Sequence, residues 1–161
     1  MKRALKFIYP AACALFIMLL LGSCNDPKAV MDNNMAIADH NWSYVNRVKF
    51  DFNIDDESAA YNLCLNLRVT DNYKYSNLFV LIYQSSGGEK GKATRYEVKL
   101  ATHDGQWLGK GSGNLYSYQV PFKTNYKFPA KGNYHFEIEQ NMRDNPLHEV
   151  SDVGLRVEKV K

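Results

Sequence analysis

Tyr61-Asn62-Leu63-Cys64-Leu65-Asn66-Leu67-Arg68-Val69 sets Tyr61, Leu63, Leu65, Leu67 and Val69 against Asn62, Cys64, Asn66 and Arg68. A period of two marks extended backbone with one face on a core, because successive strand side chains point to opposite faces. Upstream, Val48, Phe50, Phe52 and Ile54 alternate with Arg47, Lys49, Asp51 and Asn53. Between the runs, Asp55-Asp56-Glu57-Ser58 lacks the alternate-position spacing of a calcium loop and reads as a solvated turn. The two runs are therefore expected to pair as antiparallel strands.

The same signal recurs downstream. Leu78 to Tyr83 is apolar throughout, as expected of a mid-sheet strand covered on both faces. Gly87-Gly88 marks a turn, and Thr94, Tyr96, Val98 and Leu100 then alternate with Arg95, Glu97 and Lys99. Tyr116, Tyr118, Val120 and Phe122 form another run, expected to end at the Pro121 region and Lys123-Thr124-Asn125. Lys131-Gly132-Asn133 turns into Tyr134, Phe136 and Ile138, and Val153, Leu155 and Val157 form the last strand. About seven or eight short strands without a helical stretch predict an all-β, antiparallel β-sandwich of jelly-roll-like topology.

The N-terminus has a different character. Lys2, Arg3 and Lys6 precede 15 largely apolar residues, Phe7 to Leu21, interrupted by Pro10. That is short of the roughly 20 residues of a spanning helix and fits a signal peptide. Leu21-Gly22-Ser23-Cys24 matches a lipobox: cleavage falls between Ser23 and Cys24, and the Cys24 thiol takes the lipid. Residues 1–23 are thus expected to be removed, 24–40 to form a flexible lipidated tether reaching at most roughly 55 Å, and 41–161 to fold. The 138 mature residues suffice for one domain.

Removing the signal takes away three of 20 basic residues and no acidic ones, so the mature chain carries 17 of each sign. Zero net charge without a basic stripe argues against a nucleic-acid partner. Cys13 leaves with the signal and Cys24 is acylated, so Cys64 has no intrachain disulfide partner and is read as a small strand residue.

No catalytic set emerges. Between Gly105 and Gly109-Lys110 only three residues intervene, and Gly111 follows, so the phosphate-loop spacing fails. Ser112 lacks the flanking pattern of a nucleophile elbow. His148-Glu149 is followed by Asp152 where a zinc protease needs its second histidine. His135, Glu137 and Glu139 share one strand face, which reads as solvated surface rather than a metal site. No cofactor beyond the lipid, no metal and no small-molecule ligand are expected. Trp107, Tyr116, Tyr118 and Tyr126 could instead line a sugar platform, giving the alternative of a carbohydrate-binding envelope lipoprotein.

The mature chain resembles the gliding-motility lipoprotein GldH family of Bacteroidetes. The resemblance runs through Ala60-Tyr61-Asn62-Leu63, Leu67-Arg68, Tyr75-Ser76-Asn77-Leu78-Phe79, Asp104-Gly105 and Trp107-Leu108-Gly109-Lys110-Gly111. It continues in Phe128-Pro129, Lys131-Gly132, Tyr134, Gln140, Met142-Arg143 and Asp152 to Lys159. It implies a non-catalytic accessory protein of the gliding machinery and the linked type IX secretion apparatus, in contact with other envelope lipoproteins. The chain lacks an acidic cluster after Cys24 of the kind associated with surface export, which points to the outer membrane's periplasmic face. The candidate partner-contact loop is Asp104, Gly105, Trp107, Leu108, Gly109, Lys110 and Gly111.

Overall fold

The computed structural model describes residues 26, 28–86 and 91–160. Its strands are β1 (Ala29–Ala36), β2 (Asn41–Trp42), β3 (Val48–Ile54), β4 (Tyr61–Thr70), β5 (Asn77–Ser86) and β6 (Lys92–Lys99). They continue as β7 (Lys110–Ser112), β8 (Leu115–Tyr126), β9 (Gly132–Gln140), β10 (Leu147–His148) and β11 (Val150–Lys159). One sheet has the order β1-β11-β4-β8-β7 and the other β3-β9-β5-β6, while β2 and β10 form a separate ribbon. All the pairings are antiparallel.

The eight long strands pair as a nested ribbon. β5 pairs β6 at the centre, β4 pairs β8 around it, β3 pairs β9, and β1 pairs β11 at the ends. Rolling that ribbon brings β11 beside β4 and β9 beside β5. The result is the expected jelly-roll sandwich.

The core follows from the alternation. In β3, Val48, Phe50, Phe52 and Ile54 are buried and the residues between them exposed. Leu63, Leu65, Leu67 and Val69 of β4 and Val153, Leu155 and Val157 of β11 meet them from the other sheet. Each such side chain removed from water contributes roughly 1.5–3 kcal/mol. At one end Phe128 packs edge-on against Phe52, Tyr61 and Tyr126, with centroids 6.0, 5.3 and 4.9 Å away. The Tyr61 hydroxyl donates to Asp56 O and that of Tyr118 to Leu100 O, both at 2.8 Å. Burial of these rings therefore strands no polar atom.

Four local expectations are corrected. β3 and β4 do not pair: they lie in opposite sheets, facing each other through their apolar sides, and residues 55–60 cross between layers. β5 is mid-sheet but buried on one face only. Phe79, Leu81 and Tyr83 are half-buried on the outside, where the Arg95 guanidinium lies 3.8 Å from the Phe79 ring and that of Arg47 4.1 Å from the Tyr83 ring. β8 does not stop at the Pro121 region or at Lys123-Thr124-Asn125 but continues through them to Tyr126. The register slips at Leu63/Cys64, and at such a bulge a missing N–H removes no regular ladder bond.

The fourth correction concerns the tether. From Ala29 the polar stretch is a strand, hydrogen-bonded along β11 from Glu158 to Asp152. It reads as a leash because its outer side carries Asp32 and Asn34 and it sits on a sheet edge. Arg156 of β11 fixes it, binding Asp32 at 2.6 Å and also Asp26 and Glu158. The folded body therefore starts at Ala29, not at residue 41.

Gly154 makes that docking possible. A Cβ there would lie 2.0 Å from Asn34 Oδ1 and 2.6 Å from the Asn33 carbonyl oxygen. The Asn34 side chain can rotate away, but the carbonyl is held by the ladder. Gly154→Ala should therefore push β1 off β11 and cost about 1–3 kcal/mol, read by chemical denaturation. Faster amide exchange over residues 29–36 should accompany the loss, and an unchanged exchange pattern would contradict this account.

Candidate interaction surface

The loop picked out in the sequence is a hairpin that folds back on the sandwich edge. Ala101 bridges Trp107, Thr102 N donates to Gln106 O at 2.8 Å, and Gly105, with φ of 81°, closes the turn through N–H to Thr102 O at 3.0 Å. Leu108 N then donates to Leu100 O at 2.9 Å, and Lys110 and Gly111 pair with Ser117 and Tyr116 as β7. Gly109 lies flat on the Tyr118 ring, where an added Cβ would come within 2.6 Å of the ring carbon.

This geometry divides the candidate contact residues. Trp107 is half-buried and stacks on Tyr116 at 4.9 Å, Tyr118 is core, and Tyr126 belongs to the Phe128 cluster. The four aromatics do not form one exposed platform. Asp104 and Leu108 face solvent, and Leu108 is 55% exposed. The turn before β3 displays Tyr44 and Val45, 48% and 71% exposed. Single residues of this kind are ordinary, and the adjacent Tyr44 and Val45 are the pair to weigh.

Beside the hairpin a groove of about 810 Å³ runs over the outer face of the five-stranded sheet. Its floor is an amide row: Gln119 donates to Asn66 Oδ1 at 3.1 Å, and Asn66 donates to Asp32 Oδ1 at 2.9 Å. Arg68 at its rim binds Asp152 through two nitrogens, at 2.5 and 3.0 Å. Burial pushes the Asp152 carboxyl up, but hydrogen bonds from Arg68 and Ser151 outweigh it and hold the group below its ordinary value. The floor is therefore polar and internally satisfied.

The other candidates resolve into structure. His148 Nδ1 contacts Asn41 Oδ1 across the β2–β10 ribbon, and Glu149 accepts from Thr70 Oγ1 at 2.6 Å. Asp56 caps its own turn through Ser58 and binds Lys159 at 2.6 Å. Cys64 is buried, and burial raises its thiol pKa. Among the described residues no three His, Cys, Asp or Glu side chains are placed to hold a metal. Ser23, Cys24 and Gly87-Gly88 lie outside the described residues.

On the opposite sheet face, sequence reading missed a cation. His135, Glu137 and Glu139 project side by side as expected, and Arg47 binds Glu137 at 3.0 Å and Glu139 at 2.7 Å. His135 contacts Asp51 at 2.7 Å and Glu137 at 3.2 Å. The only prior sign was that Arg47 opens the alternating β3 run.

The GldH lipoprotein family model matches residues 29–157. A gliding motility lipoprotein GldH homolog from Christiangramia forsetii is 33% identical over 152 residues, covering 90% of this chain and 92% of its own. The gliding motility lipoprotein GldH of Flavobacterium johnsoniae is 31% identical over 151 residues, covering 89% and 92%. Among solved structures, a family GH115 4-O-methyl-α-glucuronidase aligns with a TM-score of 0.44 at 13% identity, covering 85% of this chain and 18% of its own. An infectious bursal disease virus structure aligns at 0.32 and 15%, covering 84% and 35%. Neither structural likeness is close enough to bear on function.

The His135 cluster predicts a pH dependence. Burial disfavours the imidazolium, but hydrogen bonds to Asp51 and Glu137 outweigh it and raise the pKa above 6.5. The Arg47 hydrogen bond, against burial, holds Glu137 below 4.5. Stabilisation by His135 is complete below its unfolded pKa and fades as pH rises through the raised folded value. Stabilisation by Glu137 is complete above its unfolded pKa and fades as pH falls through the lowered one. The melting temperature should therefore decline from about pH 6 to about pH 8, and His135→Gln should flatten that decline. Parallel slopes for the two proteins would contradict the pairing.

Proposed function

The chain belongs to the GldH lipoprotein family, and from that premise we propose that it is a non-catalytic interaction module held on Cys24 with its far end presented to partners. As a gliding motility lipoprotein it is a lipid-anchored protein of the cell envelope. In the proposed mature form, cleavage after Ser23 frees Cys24 for acylation, and the lipid sits in the outer membrane with the sandwich in the periplasm. Its partners are other envelope lipoproteins of the gliding and type IX secretion machinery.

The observation that carries this reading is the Arg156 hub. Arg156 binds Asp26, two residues from Cys24, so the free leash spans only about 7 Å. The body is tied by the end where Ala29 pairs Glu158 and Lys159 pairs Tyr61. Tyr44 and Val45 precede β3 at the other end, where Val48 pairs Ile138 and Val80 pairs Gln140, and Leu108 lies toward that end on the outer sheet face, in the groove with Ser117 and Gln119. A short anchored leash raises the local concentration of any partner within reach, so weak contacts at that end suffice.

Cys24→Ala should release the protein from the membrane and fail to complement a deletion strain. A photo-crosslinker at Leu108 should capture an envelope protein, whereas one at Lys127, at the anchored end, should not. Full complementation by the unacylated protein would overturn the reading.

A further inference from the structure

The interior of the sandwich turns polar at the anchored end. On β5 the inward row Leu78, Val80 and Ile82 continues as Gln84 and Ser86, and on β6 the row Val98 and Tyr96 continues as Thr94 and Lys92. Opposite them, the slip in β8 sets Lys123 directly across from Leu63, a fully buried core position. A bulge re-aims side chains in this way, and here it turns a lysine inward. Ile82, Gln84, Ser86, Lys92, Thr94 and Lys123 line a cleft of about 270 Å³, whose apolar wall includes Tyr96, Phe122 and Phe136.

Among the described lining residues the charge is one-sided. Lys123 donates to Gln84 Oε1 at 2.5 Å, Gln84 Nε2 donates to the Tyr126 hydroxyl at 3.0 Å, and the ammonium lies 4.2 Å from the Tyr126 ring centre. The amide and the ring hold the ammonium in place without neutralising it. Lys92 adds a second cation, and none of the described lining residues is acidic. Desolvation lowers the Lys123 pKa, the mark of a cation whose burial is uncompensated. An incoming anion would supply that compensation. Two ammonium groups with the Ser86 and Thr94 hydroxyls offer more donors than the two oxygens of a carboxylate use, which favours the three oxygens of a phosphate.

We propose that this cleft binds a phosphate group attached to a short apolar moiety, with Lys123 as its central ligand and Lys92 at its mouth. The cleft is too small for a large cofactor. Tyr126 places it at the end where Tyr61, Lys159 and the start of β1 converge, so in the anchored protein it opens toward phospholipid headgroups. The lipid source, though not the anion site itself, rests on the anchoring proposed above.

The test uses the full mature chain carrying Cys24→Ser, which has no acyl group, so its result does not depend on acylation in the cell. Calorimetric titration with monomeric dihexanoyl phosphatidylglycerol should saturate, and Lys123→Gln should weaken binding by about tenfold or more. Lys127→Gln, at the same end but outside the cleft, should leave binding unchanged. Tighter binding of the phospholipid than of inorganic phosphate supports a lipid headgroup, and equal binding supports a soluble phosphate in the same site. If Lys123→Gln does not fold, mass-spectrometric footprinting of the parent chain answers instead: the lipid should protect Lys123 from reductive methylation. Absence of saturable binding, equal binding of phosphate-free hexanoylglycerol, or unaltered methylation of Lys123 would overturn the proposal.

Discussion

Arg156 is the interaction on which the arrangement of the molecule depends. It projects from β11, is largely covered, and gathers Asp26, Asp32 and Glu158 around one guanidinium, which raises its pKa further. Single ion pairs at a surface contribute little, because each side chain must be ordered and solvent screens the attraction. A planar cation with five donors among three carboxylates is different, since one ordered group serves several partners. The consequence is mechanical: Asp26 is tied to the sheet that begins at Ala29, and the N-terminal strand is ordered by the C-terminal one.

That dependence explains what was legible in the chain and what was not. Strands with one face on the core declare themselves by alternation, so β3, β4, β6, β9 and β11 could be read directly from Val48, Leu63, Val98, Phe136 and Leu155. β1 could not. Its stability comes from backbone bonds to β11 and from Arg156, neither of which leaves a hydrophobic period. The pairing of β3 with β4 was misread for a related reason. Alternation says that each strand has an apolar face, and two such faces can lie side by side in a sheet or opposite each other across a core.

The functional surface was legible to a different degree. Its glycines make Asp104 to Gly113 read as a loop, although Lys110–Ser112 within it pair with β8 as β7, and Trp107 could not be assigned to a face without knowing that Tyr116 lies beneath it. Lys123 was invisible for a geometrical reason. Counting by twos from Tyr116 puts Phe122 inward and Lys123 outward, and only the slipped register opposite Leu63 and Cys64 turns the lysine into the sandwich. The proposed anion site sits where local periodicity is broken, and a broken period carries no sequence signature of its own.

The two ends of the sandwich then stand under different constraints. A ten-residue strand such as β4 spans about 33 Å, several times the roughly 7 Å of free chain between Asp26 and Cys24. With the lipid on Cys24, a leash that short cannot let the anchored and far ends exchange places. On the proposed anchoring, the end holding Lys123 and Tyr126 stays within reach of the membrane surface, which leaves the end holding Tyr44 and Val45 open to the proposed partner. Had residues 24–40 been a flexible coil, either end could have faced the membrane. It is the ordering of β1 by Arg156 that converts an anchor into an orientation.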